Sequence, residues 1–307
     1  MQYSKICLFC FALGFTAAFA QTRPAFEVAT VKPSPPPDMA KLRAAMQAGG
    51  RMPFGPHIET GRAEYTFMTL RSLIQLAYGV RDDQITGPDW MENAAFDIVA
   101  KMPEGASKDD APRMLQSLLE DRFRLAVHRS SAERTVLALV VGKSGLKMKP
   151  SAGVPAAEGA PLKPGETAID MAGGVRMVVN AATGGTGFDM GPRGKMSMTM
   201  NPATRAMHID FAAMTMGGLA DWLTERSTNN DGAEVVDMTG IQGNYDASID
   251  EEPLTAESAA DPALDSGGGP SPRMNAEVQA LGLKLESRKA MVEKLIIDHV
   301  EKVPTDN

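Results

Sequence analysis

The sequence predicts an α+β fold built from two tandem copies of one helix and antiparallel-sheet unit with long Gly/Pro-rich loops. Apolar residues recur with a helical period in some segments and with a period of two in others, which predicts a mixture of helices and half-buried strands. A series of motifs from the first half also recurs in the same order in the second half. A repeat this long indicates duplicated domains rather than a solenoid.

The first 20 residues have the pattern of a secretory signal peptide. Lys5 precedes an apolar run from Ile6 to Phe19, and the segment ends in Ala18-Phe19-Ala20, the small residues that signal peptidase prefers. The apolar run is shorter than the roughly 20 residues that span a bilayer. We therefore expect cleavage before Gln21, export to the periplasm or the cell exterior, and no membrane insertion of the mature chain.

The composition limits the chemistry of the mature protein. Cys7 and Cys10 are the two cysteines of the sequence, and both lie in the signal segment. Their loss excludes disulfides, zinc-thiolate sites and cysteine nucleophiles. The formal net charge of −7 argues against nucleic acid as a partner, so we expect an unidentified protein or envelope partner.

The first predicted unit spans residues 21–150. Phe26 to Val31 alternates as a strand does, Met68 to Tyr78 has the apolar face of a helix, and Ala95 to Ala100 alternates again. The unit ends in a helix that begins near Pro112, a strand from Phe123, a polar turn and a return strand. The turn is predicted at 130–134 and the return strand at 135–141.

The second predicted unit spans residues 195–307, with a polar insertion at 255–272. Residues 151–194, which are rich in Gly, Ala and Pro, predict a linker or long loop between the units. Phe67 to Ile74 matches Ala213 to Ala220, and the Asn275 to Val300 segment matches the helix, strand, turn and strand of the first unit. Both copies should therefore bury equivalent residues, Leu125 in the first and Leu285 in the second.

The motifs resemble those of an exported family of unknown function that is expanded in soil Acidobacteria, a Solibacter-type paralogous family. The resemblance rests on FEVATVKPSPPP, LIQLAYGV, ITGPDW, FDIVAKMP, VVDMTGIQGNYD and the closing LGLKLESRKAMVEKLIIDHVEKVPTDN. Related domains occur joined to membrane-bound metallopeptidase sensors, which implies an extracytoplasmic sensing or binding role. The resemblance supplies no catalytic residues, so the catalytic residues remain unknown.

Four residues are candidates for a surface site. Trp90 follows a Gly-Pro-Asp turn and can present an aromatic ring to a partner. His208 and Asp210 lie two apart on a predicted strand and so face the same way, as a metal pair would, but no close ligand spacing accompanies them. We therefore predict no metal and no cofactor. Asp246 opens an acidic cluster that continues with Asp250, Glu251 and Glu252.

We interpret the chain as a non-enzymatic binding or scaffolding module, with one alternative. The acidic cluster at Asp246 also fits a hydrolase of envelope or extracellular polymer, because glycosidases use paired carboxylates. The 21 methionines raise a further hypothesis of Cu(I) binding, for which Met196, Met198 and Met200 share one strand face. Because Met commonly fills apolar cores, we expect Cu(I) binding no stronger than that of unrelated Met-containing proteins.

Overall fold

The computed structural model describes residues 23–153, 162–171, 174–180, 183–228, 234–251 and 272–305. The fold of these residues is α+β, with five α-helices and three sheets. The helices are α1 (Met39–Ala48), α2 (Leu70–Tyr78), α3 (Ala111–Phe123), α4 (Met216–Thr228) and α5 (Pro272–Ala280). The predicted signal segment, residues 1–20, and residues 255–271 of the predicted insertion lie outside the described residues.

The strands occur in three groups along the chain. The first group comprises β1 (Val28–Pro33), β2 (Gly50–Arg51), β3 (Gly55–Glu59), β4 (Arg62–Thr69), β5 (Ile85–Thr86), β6 (Ala95–Lys101) and β7 (Ala126–Val141). The second comprises β8 (Lys149–Pro150), β9 (Glu166–Asp170), β10 (Arg176–Asn180), β11 (Gly185–Asp189) and β12 (Lys195–Met200). The third comprises β13 (Met207–Met214), β14 (Val235–Asp237), β15 (Tyr245–Glu251) and β16 (Leu283–His299).

The first sheet has four antiparallel strands in the order β1-β6-β4-β3, and α2 and α3 pack against it. Thr69 caps α2 by accepting a hydrogen bond from the Ser72 backbone N–H, and Gly79 ends the helix at a φ of 62°. The left-handed conformation at Gly79 is one that glycine adopts without a side-chain clash. The apolar face predicted for this helix is buried in the first core: Leu70, Leu73, Ile74 and Ala77.

The second sheet has eight strands in the order β2-β9-β10-β11-β12-β13-β15-β8. Residues of α4 and α5 pack against β13 and β15 to form a second core. Trp222 of α4 meets Phe211 of β13 edge to face, with ring centroids 5.1 Å apart. Aromatic pairs favour this arrangement because the positive ring edge meets the negative ring face.

The third sheet is organised by a ribbon that consists of β7 and β16. These two strands pair antiparallel along nearly their whole length, from Leu283 opposite Val141 to Ile297 opposite Val127. The short strand β14 adds in parallel to β7, and β5 adds in parallel to β16. The ribbon contributes to both cores, since Leu295 belongs to the first and Leu285 to the second.

The ribbon shows that the predicted order of helix, strand, turn and strand is wrong. Residues 130–134 form no turn, because β7 is one continuous strand and each of these residues has a partner in β16. Ser, Ala, Glu and Arg occur in exposed strands as well as in turns, so these residue types do not distinguish a turn from an exposed strand. Ion pairs across the ribbon, such as Lys289 with Glu133 at 3.2 Å, occupy these positions. The strand predicted from Phe123 is also wrong at its start, because Phe123 ends α3 and β7 begins at Ala126. Leu125 and Leu285 are buried, as predicted.

Residues 151–194 also differ from the expected linker or long loop. The described part of this segment contains β9, β10 and β11, which form an antiparallel meander. Gly185 and Gly187 lie within β11 and supply no side-chain alternation, so the sequence pattern there does not indicate a strand. The backbone hydrogen bonds to β10 and β12 form the ladder without any need for alternating side chains in β11.

Candidate functional site

A polar cavity of about 300 Å³ lies where the two halves of the chain meet over the ribbon. It is lined by Asp83, Arg134, Thr135, Val136, Glu234 and Lys294, and we call it the junction cleft. Asp83 lies just before β5 and Glu234 just before β14, so each short parallel strand brings one carboxylate to the ribbon. Arg134, Thr135 and Val136 come from β7, and Lys294 comes from β16.

Arg81 joins the two halves beside this cleft. Its guanidinium donates to Asp83 at 3.0 Å, to Asp221 of α4 at 3.0 Å and to Glu234 at 2.6 Å. Burial by itself lowers the pKa of Arg81, but the hydrogen bonds and ion pairs with these carboxylates outweigh it and hold the pKa above the ordinary arginine value. The Arg81 guanidinium therefore stays positively charged at every accessible pH.

Asp221 connects this cluster to the second sheet. Its second carboxylate oxygen accepts from Arg193 at 2.9 Å, while the first accepts from Arg81. Lys294 of the ribbon donates to the backbone carbonyl of Asp83. These partly buried charge-assisted hydrogen bonds fix the walls of the cleft, because each charged group has partners on different elements.

The cleft presents both signs of charge to solvent. Arg134 and Lys294 supply cations, Asp83 and Glu234 supply carboxylates, and the Thr135 hydroxyl adds a neutral donor and acceptor. A partner with complementary charges of both signs, such as a polar peptide segment, matches this surface better than an apolar ligand does. No sequence motif marks this site, and only the acidic residues close before β5 and β14 hint at it.

The structure places His208 and Asp210 in a surface ion-pair group rather than a metal site. His208 Nδ1 lies 2.6 Å from Asp250 Oδ1, and Nε2 lies 3.1 Å from Asp210 Oδ1. The hydrogen bond to Asp250, together with the charge of Asp210, raises the pKa of His208. A ring with a carboxylate on each nitrogen favours the protonated form, which has no lone pair for a metal. Among the described residues, no group of three His, Cys, Asp or Glu side chains is arranged to hold a metal ion.

Asp246 anchors the backbone of the second sheet. Its carboxylate accepts from the Ala213 backbone N–H at 2.8 Å and from the Ser151 side chain, and these bonds lower its pKa. Of the other described acids in the predicted cluster, Asp250 lies four residues further along β15, about 13 Å away, and alternation of side chains places Glu251 on the opposite face. Asp250 faces His208, whereas Glu251 points into the second core. The carboxylates of β15 thus have separate structural partners.

Trp90 is half-buried and packs against the first core, so it is part of the packing of this half. It lies in a short 3-10 helix at Asp89–Glu92, as a turn at that position predicts. The junction cleft contains none of the four residues proposed from sequence. The groups that build it come from distant segments, which a single sequence does not connect.

The described helices include none with the length and apolar content needed to cross a membrane.

The fold and the cleft define an α+β protein whose two halves meet over a shared antiparallel ribbon and leave a polar cavity at the junction. A family model described as a protein of unknown function, DUF3738, matches residues 71–300. The chain belongs to this family, as the resemblance to an uncharacterised family implied. Neither the curated proteins nor the solved structures contain a match to the chain.

Proposed function

We propose that this chain is an exported, non-enzymatic binding or scaffolding module, built from two copies of one α+β unit, that holds its partner at the junction cleft. The observation that carries the proposal is the cleft itself, since its charged lining comes from both halves and from the ribbon. Binding sites occur preferentially where two units of a protein meet.

Two backbone anchors with the same construction support the duplication. In the first half, Asp97 accepts from the Phe67 backbone N–H at 2.8 Å and from the Ser34 hydroxyl at 2.6 Å. In the second half, Asp246 accepts from the Ala213 N–H and from Ser151. We call these two groups the first and second carboxylate anchors.

The backbone around the anchors agrees in further details. Phe67 has a φ of 52° and Ala213 a φ of 50°, a left-handed conformation that is uncommon for residues other than glycine. Two residues later a threonine hydroxyl caps the next helix, Thr69 in the first half and Thr215 in the second. Each anchoring serine ends a Lys-Pro-Ser sequence, at 32–34 and at 149–151.

The order of elements supports the same proposal. The first half runs β4, α2, β5, β6, α3 and β7, and the second runs β13, α4, β14, β15, α5 and β16. β5 and β14 each add in parallel to the ribbon strand of the other half. Two copies that exchange these contacts require each other to complete the third sheet, which explains why a duplicated chain would be kept as one molecule.

Export is proposed from the amino-terminal sequence and from the resemblance to exported Acidobacteria proteins. The test is the amino-terminal mass of protein recovered from outside the cytoplasm. A chain that begins at Gln21 would support export, whereas recovered protein that retains residues 1–20 would contradict it.

The binding proposal is tested by affinity capture from an envelope extract with the purified chain as bait. Arg134→Glu reverses a charge in the cleft at an exposed position, so the fold should remain intact. The matched control is Lys284→Glu, which reverses an exposed charge on the same ribbon outside the cleft. We expect that one captured component is lost with Arg134→Glu and retained with Lys284→Glu.

Equal capture by the wild type and both variants would contradict a role for the cleft. The circular dichroism spectrum and thermal midpoint of each variant should match the wild type, so that loss of capture reports the surface rather than unfolding. Quantitative comparison of the captured proteins by mass spectrometry provides the readout.

A further inference from the structure

Three methionines lie beside the turn of the hairpin formed by β12 and β13. Met198 and Met200 share one face of β12, because side chains alternate along a strand. The strand register places Met207 directly opposite Met200, and Ile209 opposite Met198. Directly opposite side chains lie on the same face with Cβ atoms about 5 Å apart, and diagonal neighbours remain within reach of long side chains.

Core packing does not account for all of these methionines. Met196, the first of the alternating series, is buried in the second core. Met200 is 52% exposed and lies outside that core, while Met198 and Met207 are half-buried at its rim. The expectation that methionines at these positions fill the core therefore holds for Met196 but not for Met200.

The turn that joins the two strands is held by its own hydrogen bonds. Asn201 accepts on its side-chain oxygen from the backbone N–H groups of Ala203 at 2.9 Å and Thr204 at 3.2 Å. The Asn201 N–H donates to the Ala206 carbonyl, and the Arg205 N–H donates to the Asn201 carbonyl. This turn holds the backbones of Met200 and Met207 opposite each other, so only their side chains must be ordered when a ligand binds.

In place of the weak Cu(I) binding expected from the sequence, we propose that Met198, Met200 and Met207 form a thioether site for Cu(I). Neutral thioether sulfur is a soft ligand, which favours Cu(I) over hard cations such as Ca²⁺ and Mg²⁺. The unbranched Met side chain has three rotatable bonds, so the three sulfur atoms can converge on one ion without movement of the strands. This site lies apart from the junction cleft and does not depend on the function proposed for it.

The carboxylate of Glu251, which lies next to these methionines, is not available to bind a hard cation. Glu251 lies opposite Met207 on β15, but its two oxygens are engaged by Arg226 at 3.0 Å and by Arg273. Among the described residues of this rim, the ligands that remain available to an ion are therefore sulfur atoms.

The test is a competition titration with a chromophoric Cu(I) chelator under anaerobic, reducing conditions. The full chain is used with Cys7→Ser and Cys10→Ser, because thiolates would otherwise compete for the ion. We expect stoichiometric Cu(I) binding that excess Ca²⁺ or Zn²⁺ does not displace. Replacing all three methionines by Leu should abolish it, and Met200→Leu alone should weaken the affinity by about tenfold or more.

The matched control replaces three exposed methionines elsewhere, Met39, Met171 and Met291, by Leu and should retain the wild-type affinity. Leu for Met conserves volume, and Met200→Leu changes an exposed position, so the fold should survive each change. Cu(I) binding that persists in the triple variant, or that falls equally in the control, would overturn the proposal. Failure of the parent chain to compete with the chelator would overturn it as well.

Discussion

In the first half of the molecule, the residue after β6 is Met102, an apolar side chain in the core, whereas in the second half β15 ends on Glu251, a carboxylate that is just as buried. Each of these residues lies five positions beyond the aspartate of its carboxylate anchor. At these positions one half buries an apolar side chain, and the other buries a carboxylate at the edge of an otherwise apolar core. The backbone determines that this position is buried, while the side chain that occupies it can be apolar or charged.

The buried carboxylate of Glu251 belongs to a network of ion pairs. Arg226 donates to Glu251 at 3.0 Å and to Glu277 at 2.8 Å, and Arg273 pairs with both carboxylates. One oxygen of Glu277, Oε2, is buried without a hydrogen-bond partner. Burial raises the pKa of Glu277, against the lowering effect of Arg226 and Arg273. Desolvation of such groups offsets much of their attraction, so the second half should be the more sensitive to charge.

The largest expected loss of folding stability is common to both halves. Leu125→Ala and Leu285→Ala each remove a buried side chain, which is 4% exposed in Leu125 and 6% in Leu285. Each change should lower the free energy of unfolding by about 2 to 5 kcal/mol. Denaturant titration measures this loss, and Lys284→Ala on the exposed face of the ribbon serves as a nearly neutral control. A cost confined to one of the two leucines would break the comparison between the halves.

A smaller effect should be specific to the second half. Arg226→Ala leaves Glu251 and Glu277 with fewer partners and also removes a cation that lies 4.8 Å from the Trp222 ring centroid. We expect a loss of about 3 kcal/mol in the free energy of unfolding, the low end of the range for a broken buried pair, because Arg226 is partly exposed. Arg226→Lys should recover part of it. A thermal midpoint unchanged by Arg226→Ala would show that the network contributes nothing.

The two carboxylate anchors should respond alike. Asp97→Ala and Asp246→Ala each remove an acceptor for a backbone N–H and a serine, and each should cost about 1 to 2 kcal/mol in unfolding free energy. Asp→Asn at either position keeps a neutral acceptor and should cost less. Because the pKa of Asp246 is lowered in the folded state, its contribution to stability is present above the ordinary aspartate value of 3.8 and is lost as the pH falls through the folded-state pKa. Clearly unequal losses at the two anchors would argue against duplication.

The smallest effect is a pH dependence assigned to Glu277. Its raised pKa means that the folded state binds the proton more tightly than the unfolded state, whose reference value is 4.5. The contribution of this group to stability is therefore present at low pH and lost as the pH rises above 4.5 through the folded-state pKa. Unfolding free energies measured across this range should fall less steeply with rising pH in Glu277→Gln than in the wild type. Met102→Leu in the first half is the control and should leave the slope unchanged.

Much of the local structure could be predicted from the sequence, because it depends on neighbours along the chain. The apolar stripe of α2 and its end at Gly79 are local signals, although the helix begins at Leu70 after the Thr69 cap rather than at the predicted Met68. The burial of Leu285 in β16 agrees with the period of two, whereas Leu125 is buried in the connection between α3 and β7, outside any strand. The Lys-Pro-Ser sequences that end β1 and β8 are also visible in the sequence, although their meaning depends on the aspartates that their serines meet.

Tertiary structure decided which segments pair and which charges meet. Strands pair through backbone groups that every residue carries, so the sequence of β7 does not specify β16 as its partner. For the same reason it does not exclude a turn at 130–134. The junction cleft arises because β5 and β14 bring Asp83 and Glu234 to the ribbon from segments distant in sequence. Met207 likewise reaches Met200 through the register of one hairpin. Local periodicity thus determined the elements, whereas long-range hydrogen-bond pairing determined the sites, because such pairing is specified by the whole fold rather than by neighbouring residues.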